Sequence, residues 1–172
     1  MTPRRSARFC LAVISGIIAA GVAADQITKA LALARLDPYQ PVSVVSDLFE
    51  LRLVRNPGAA FSTGTSVTPL FSALAVAVLV AVSIWVVPKV RCLSWAVVTG
   101  LGMAGIAGNF IDRLVRPPGF FRGYVIDFFS LKYFAVFNVA DILLTTAAVL
   151  IVVLSVFVKL DLSGSRTAAR AA

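Results

Sequence analysis

The chain carries eight acidic residues and no histidine, so any proton transfer it performs runs through Asp, Glu, Lys, Tyr or Cys. The missing imidazole removes Ser-His-Asp and Cys-His catalysis, His-ligated zinc and the H-E-x-x-H metalloprotease pattern together. Among the acids, two stand apart. Asp127 lies between Val125, Ile126, Phe128 and Phe129, and Asp141 between Val139, Ala140, Ile142 and Leu143, with no basic residue within four positions of either. Two carboxyls brought together in a partly dehydrated site share one proton, because close like charges resist double ionisation. One can act as general base on water while its protonated partner polarises a carbonyl, which is hydrolytic chemistry that needs no cofactor and no metal. For Asp141 a plain structural role as a first-turn helix acid stays open.

Other polar residues fall in helical patterns. Asp25, Thr28 and Lys29 follow i, i+3, i+4 spacing, as do Asn109, Asp112 and Arg113, while Asn138, Asp141 and Thr145 follow i, i+3, i+7. Each pattern puts one polar edge on an otherwise apolar cylinder. Asp25 with Lys29, and Asp112 with Arg113, could equally be ion pairs that secure helix ends near lipid headgroups.

The elements that must carry these residues are membrane-spanning. Of the 172 residues 59% are hydrophobic and 14% charged, against roughly 25% charged in soluble domains. A span needs about 20 mostly apolar residues, and four segments qualify, at about 9–30, 69–87, 93–111 and 139–158. The expected fold is membrane all-α, a single integral membrane domain over 1–172 with four transmembrane helices and a small extramembrane β element after the first. Phe49, Leu51 and Leu53 alternate with Glu50 and Arg52 as in a half-buried strand, and Asn56, Pro57 and Gly58 make a turn. The extramembrane part extends over about 37–66. The first apolar segment, running from Arg4, Arg5 and Arg8 to Ala23 and Ala24, superficially has the form of a cleavable signal peptide; the apolar pattern resuming at Ala30, Leu31, Leu33 and Leu36 argues for a helix leaving the bilayer instead. Cys10 and Cys92 have no redox or metal spacing and are expected to be structural. The 16 basic residues form no stripe interleaved with aromatics, so no nucleic-acid partner is expected.

Polar groups in hydrocarbon are costly unless they face a protein interior or a water-filled cavity, so the polar edges should converge. Four alternating spans bring Asp25, Asp37, Asp47, Glu50, Asp112, Asp127 and Asp141 to one membrane face and leave only Asp161 at the other. With both termini and the 88–92 loop cytoplasmic, eight basic residues lie inside (Arg4, Arg5, Arg8, Lys89, Arg91, Lys159, Arg166, Arg170) and eight elsewhere. The dense N-terminal cluster and the very short loop decide the tie, because short segments near helix ends control topology.

Five blocks in order carry a family resemblance: Asp25-Gln26 with Lys29; Asn56 through Ser62 (Asn-Pro-Gly-Ala-Ala-Phe-Ser); Gly108-Asn109-Phe110-Ile111-Asp112-Arg113; Gly123 through Phe128 (Gly-Tyr-Val-Ile-Asp-Phe); and Phe137-Asn138-Val139-Ala140-Asp141. Together they resemble the bacterial lipoprotein signal peptidases, or signal peptidase II. That resemblance implies an aspartic endopeptidase of the bacterial inner membrane. It removes the signal peptide of a diacylglyceryl-modified prolipoprotein just before the lipidated cysteine, at a site near the outer face. It implies Asp127 and Asp141 as catalytic dyad, Asn56, Asn109, Asp112, Arg113 and Asn138 as substrate-binding or supporting residues, and Asp25 with Lys29 as support for the fold. The partners implied are the prolipoprotein and membrane lipid, with the chain acting as a monomer. Two departures concern loop shape: the stretch from Arg113 to Asp127 is long, with Pro117, Pro118 and Gly119, and Ala135 stands near a frequent proline.

Three rivals use the same residues. A proton- or cation-coupled transporter would employ Asp127 and Asp141 as a relay, although their clustering at one face argues against a through-path. A noncatalytic lipid-binding subunit would need the motifs only for structure. A Ser62–Lys29 protease would need a neutral Lys29, which Asp25 one turn away opposes.

Overall fold

The computed structural model describes residues 4–58 and 68–165. Ala59, Ala60, Phe61 and Ser62 of the second block, the remainder of the 37–66 segment up to 66, and Arg166 and Arg170 lie outside them. The order of elements is α1 (Ala7–Arg35), β1 (Val42–Val45), β2 (Phe49–Asn56), α2 (Thr68–Ala81), α3 (Leu93–Val115), β3 (Val125–Leu131) and α4 (Val139–Val152). A π turn at Val82–Val86 and a 3-10 turn at Val87–Lys89 lengthen α2, and a π turn at Val153–Phe157 lengthens α4. With those extensions, all four helices are long and apolar enough to cross a membrane, matching the four expected spans. α1 starts at Ser6, whose hydroxyl accepts from Phe9 N, and runs unbroken through Ala23 and Ala24.

α3 is the central helix, packed against α1, α2 and α4. Lipid gives helices no hydrophobic reason to associate, so close backbone approach has to supply the attraction, and small residues make it possible. At Gly105 an added Cβ would stand 2.5 Å from Ala140 O, and at Gly108 it would stand 2.7 Å from Asp25 Oδ2. These two glycines therefore set how near α4 and α1 come to α3.

The expected strand at 49–53 is β2, which continues to Asn56. It is the middle strand of an antiparallel sheet ordered β1-β2-β3. β3, drawn from the α3–α4 connection, has no counterpart in the sequence reading. Val125, Ile126, Asp127 and Phe128 are all buried, so the alternation that betrays a half-exposed strand is missing there. Leu53, Ile126 and Phe128 pack on Ala32, seating the sheet on the end of α1.

A buried charge cluster ties these elements together. Lys29 Nζ reaches Asp25 Oδ2 at 2.9 Å, Asp112 Oδ2 at 2.8 Å and Asn109 Oδ1 at 2.9 Å, which satisfies all three ammonium hydrogens. Asp25 Oδ1 accepts from Ala140 N of α4 (2.9 Å), and Asp112 Oδ2 from Ile126 N of β3 (3.2 Å). Arg116 Nε pairs with Asp112 Oδ1, and Gln26 Nε2 bridges Asp25 and Gly108 O. Two expectations are corrected here. Asp112 pairs with Arg116 and Lys29 rather than Arg113, because consecutive helical residues point about 100° apart while i and i+4 share a face. The Asp25–Lys29 pair is not a headgroup contact, since both side chains are 0% exposed. Thr28 also leaves the expected polar edge, its hydroxyl returning to Ala24 O and Asp25 O within α1.

Removing the cation from this cluster would leave the buried Asp25 without a counter-charge and Asp112 with Arg116 alone. Lys29→Met is expected to destabilise the detergent-solubilised protein by about 3–5 kcal/mol, measured by chemical unfolding. A loss below about 1 kcal/mol would show that the cluster is not what joins α1 to α3.

Candidate active site

Asp127 is the third residue of β3, and its side chain is the end point of two amides. Asn56, the last residue of β2, donates from Nδ2 to Asp127 Oδ2 at 2.8 Å. That amide is aimed by its own oxygen, which accepts from Gly58 N at 2.8 Å across the Asn-Pro-Gly turn. Asn138 donates from Nδ2 to the other oxygen, Asp127 Oδ1, at 2.6 Å.

Asn138 also starts α4. It is the N-cap in extended conformation, with Oδ1 accepting from Asp141 N (3.1 Å), while Asp141 Oδ2 accepts from Asn138 N (3.0 Å). This reciprocal capping box fixes the first turn of the helix. The structural role left open for Asp141 is therefore real, but it occupies one oxygen only. The other, Oδ1, accepts from Asn109 Nδ2 of α3 at 2.8 Å. Asn109 in turn accepts from Lys29 and from Asn138 Nδ2 (3.1 Å). One asparagine thus touches both aspartates, and a second links them to the buried ion cluster.

The short stretch from Asp127 to Asp141 is closed by backbone bonds. Phe137 N donates to Phe129 O (2.9 Å), and Phe129 N to Phe137 O (2.8 Å). β3 is thereby turned directly into the cap of α4, which brings the two acids to one place. Neither acid is in an ion pair with a described residue, whereas Asp25 and Asp112 both are. Asp127 is 2% exposed. Desolvation raises its pKa from the ordinary carboxyl range to about 6, the Asp141 charge adding to that rise and the Asn56 and Asn138 amides opposing it.

The remaining candidates divide by geometry. Asp112, fully buried and bonded on both oxygens, acts within the scaffold with Asp25 and Lys29. Arg113 packs over the Phe71 ring at 5.7 Å and near the turn at Gly58, and its buried Nη1 has no hydrogen-bond partner among the described residues. Two apolar clefts are lined by candidate residues. One, of about 290 Å³, is lined by Asp141, Thr145, Leu131, Phe134 and Phe137. The other, of about 260 Å³, runs between α2 and α3 past Asn109 and Arg113. Gln26 and Arg116 were not singled out by sequence. The i, i+4 spacing of Asp112 and Arg116 could have revealed the latter; Gln26 stands in the first motif block, but no local spacing shows that it acts on residues more than eighty positions away.

Comparison with known proteins points to one family. The family model for signal peptidase (SPase) II matches residues 17–157. The lipoprotein signal peptidase of Rhodococcus jostii is 42% identical over 159 residues, covering 92% of this chain and 78% of that protein. The lipoprotein signal peptidase of Leifsonia xyli subsp. xyli is 48% identical over 119 residues, or 69% of this chain and 55% of that one. A solved structure described as a bacterial membrane enzyme superposes with a TM-score of 0.72 over 91% of this chain and 97% of that chain at 24% identity, a likeness of fold. The four apolar helices and these relatives make this a multi-pass membrane protein, and the chain belongs to the signal peptidase II family.

Proposed function

We propose that the chain is an aspartic endopeptidase that removes the signal peptide from diacylglyceryl-modified prolipoproteins, cutting just before the lipidated cysteine, with Asp127 and Asp141 as its dyad. The family is a family of peptidases, which leaves the ion-coupled transporter without support. The observation that carries the dyad is the pattern of partners: Asp127 and Asp141 meet on Asn138 and are held by neutral amides, so a proton can move on and off them without breaking a salt bridge.

The chemistry follows from that arrangement. Asp127, whose proton is retained up to about 6, begins as the acid and donates to the scissile carbonyl oxygen. Asp141 takes a proton from the attacking water. The tetrahedral intermediate then collapses, Asp141 returning its proton to the leaving amine and Asp127 recovering its own from the hydroxyl. Arg113 Nη1, without a hydrogen-bond partner among the described residues, supplies a donor for substrate backbone or headgroup oxygen, and the two clefts offer apolar surface for signal peptide and acyl chains. A Ser62–Lys29 mechanism is disfavoured because two carboxylates hold the Lys29 ammonium at full burial; Ser62 itself is outside the described residues.

The proposal extends to setting: a bacterial inner membrane, both termini cytoplasmic, the site near the outer face, and a monomer that meets its lipid-anchored substrate by diffusion through membrane lipid. The charge placement at Arg4, Arg5, Arg8 and the 88–92 loop supports the orientation.

With purified protein and a diacylglyceryl-modified prolipoprotein, Asp127→Asn and Asp141→Asn should each lower kcat by about four orders of magnitude while the protein stays folded; near-normal cleavage by either folded variant removes that residue from the dyad. The pH dependence has a fixed sign. The reactive form has Asp127 protonated, so kcat/KM should fall about tenfold per pH unit above an apparent pKa near 6. A profile flat from about pH 5 to about pH 8 would overturn the assignment of Asp127 as the acid.

A further inference from the structure

At the end of the bundle opposite Asp127 and Asp141, three chain segments are fastened into one unit. Arg5 N donates to Arg91 O (2.7 Å), Arg91 N to Leu162 O (2.8 Å) and Trp95 Nε1 to Leu160 O (3.1 Å). The approach to α1, the 88–92 connection and the 158–165 segment after α4 therefore meet over a small core of Cys10, Ile14, Val90 and Ala96, against which Leu162 packs. Backbone bonds hold this clasp in place.

Its charge is one-sided. The segments 4–10, 88–92 and 158–165 contribute Arg4, Arg5, Arg8, Lys89, Arg91 and Lys159, against Asp161 alone. Asp161 faces inward on its own turn, with Oδ1 accepting from Ser163 N (2.9 Å), Ser163 Oγ (2.7 Å) and Ser165 N (2.8 Å). Among the described residues Arg4, Arg5, Arg8, Lys89 and Arg91 form no ion pair. Four of them are exposed, and Arg5 stacks over the Phe9 ring at 5.3 Å. Immediately along the helices from these cations the surface turns apolar, with Phe9, Leu11 and Leu93 each more than 40% exposed. A ligand that fits both features is anionic at one end and hydrocarbon at the other.

We propose that this clasp is a binding site for an anionic phospholipid, its phosphate among Arg4, Arg5, Arg8 and Lys89 and its acyl chains along Phe9, Leu11 and Leu93. A dissolved anion would use the charges and leave the apolar flank idle, whereas a lipid in the same leaflet meets both at once. Bound there, the lipid neutralises cations carried by the segments that these backbone bonds join. The clasp lies away from the acids, so the inference is independent of the peptidase reading.

The test is lipid binding by the full chain in phosphatidylcholine nanodiscs with and without phosphatidylglycerol, read by native mass spectrometry and melting temperature. Phosphatidylglycerol should be retained and should raise the melting temperature. Arg5→Gln, Arg8→Gln and Lys89→Gln combined should weaken its affinity about a hundredfold, at about fivefold per charge, with melting in pure phosphatidylcholine unchanged. Retention by that variant at the wild-type level overturns the proposal, as does equal retention of phosphatidylcholine by the wild type. An equal rise in melting temperature from inorganic phosphate alone overturns it in favour of a simple anion site. Should the triple variant not fold, the wild type decides: retention has to fall as salt rises from about 50 to about 500 mM, and salt-independent retention sinks the idea.

Discussion

The Lys29 ammonium holds the molecule's arrangement together, because it is a full charge at zero exposure in a chain built for lipid. Such a charge is tolerable only with every hydrogen matched, and its three partners come from α1 and α3. Those partners then reach outward, Asp25 to the first turn of α4 and Asp112 to β3. A single cation therefore fixes the relative placement of three helix ends and a strand. Asn109 carries that placement to the proposed dyad, since one of its ends touches Lys29 and the other Asp141.

Four buried or half-buried aspartates occupy this end of the bundle, and the fold treats them in two ways. Asp25 and Asp112 are matched by the cations Lys29 and Arg116, which makes them part of the architecture. Asp127 and Asp141 are matched by the amides of Asn56, Asn109 and Asn138 and by the backbone. An amide orients a carboxyl group without fixing its protonation state. The same residue type is thus held by a charge in the scaffold and by neutral amides in the proposed dyad.

Much of this was legible in the sequence. Apolar run lengths gave the four spans, and the alternation at Phe49 to Leu53 gave the middle strand. The absence of basic neighbours around Asp127 and Asp141 singled them out, and the structure joins them on Asn138. What was hidden had physical causes. β3 is buried on both faces, so it lacks a period-2 signature. The partners of Lys29 include Asp112 and Asn109, which are about eighty positions away and which no local pattern can pair. Gln26 belongs to the first motif block, but its bonds to Gly108 O and Asp112 appear only once α1 and α3 are packed.

The hairpin-like closure between Phe129 and Phe137 bears on how the site responds to its surroundings. One acid sits on a strand outside the hydrocarbon and the other on the first turn of a helix that enters it. In a loosely connected protein, a thinner or thicker bilayer would tilt the helix and slide these two groups past one another. Here the strand's own backbone bonds run into the residue that precedes the helix cap, so sheet and helix end tilt as one body. The relative placement of the two carboxyls is thereby tied to the protein's own covalent and hydrogen-bonded frame rather than to the tilt of one helix in the bilayer.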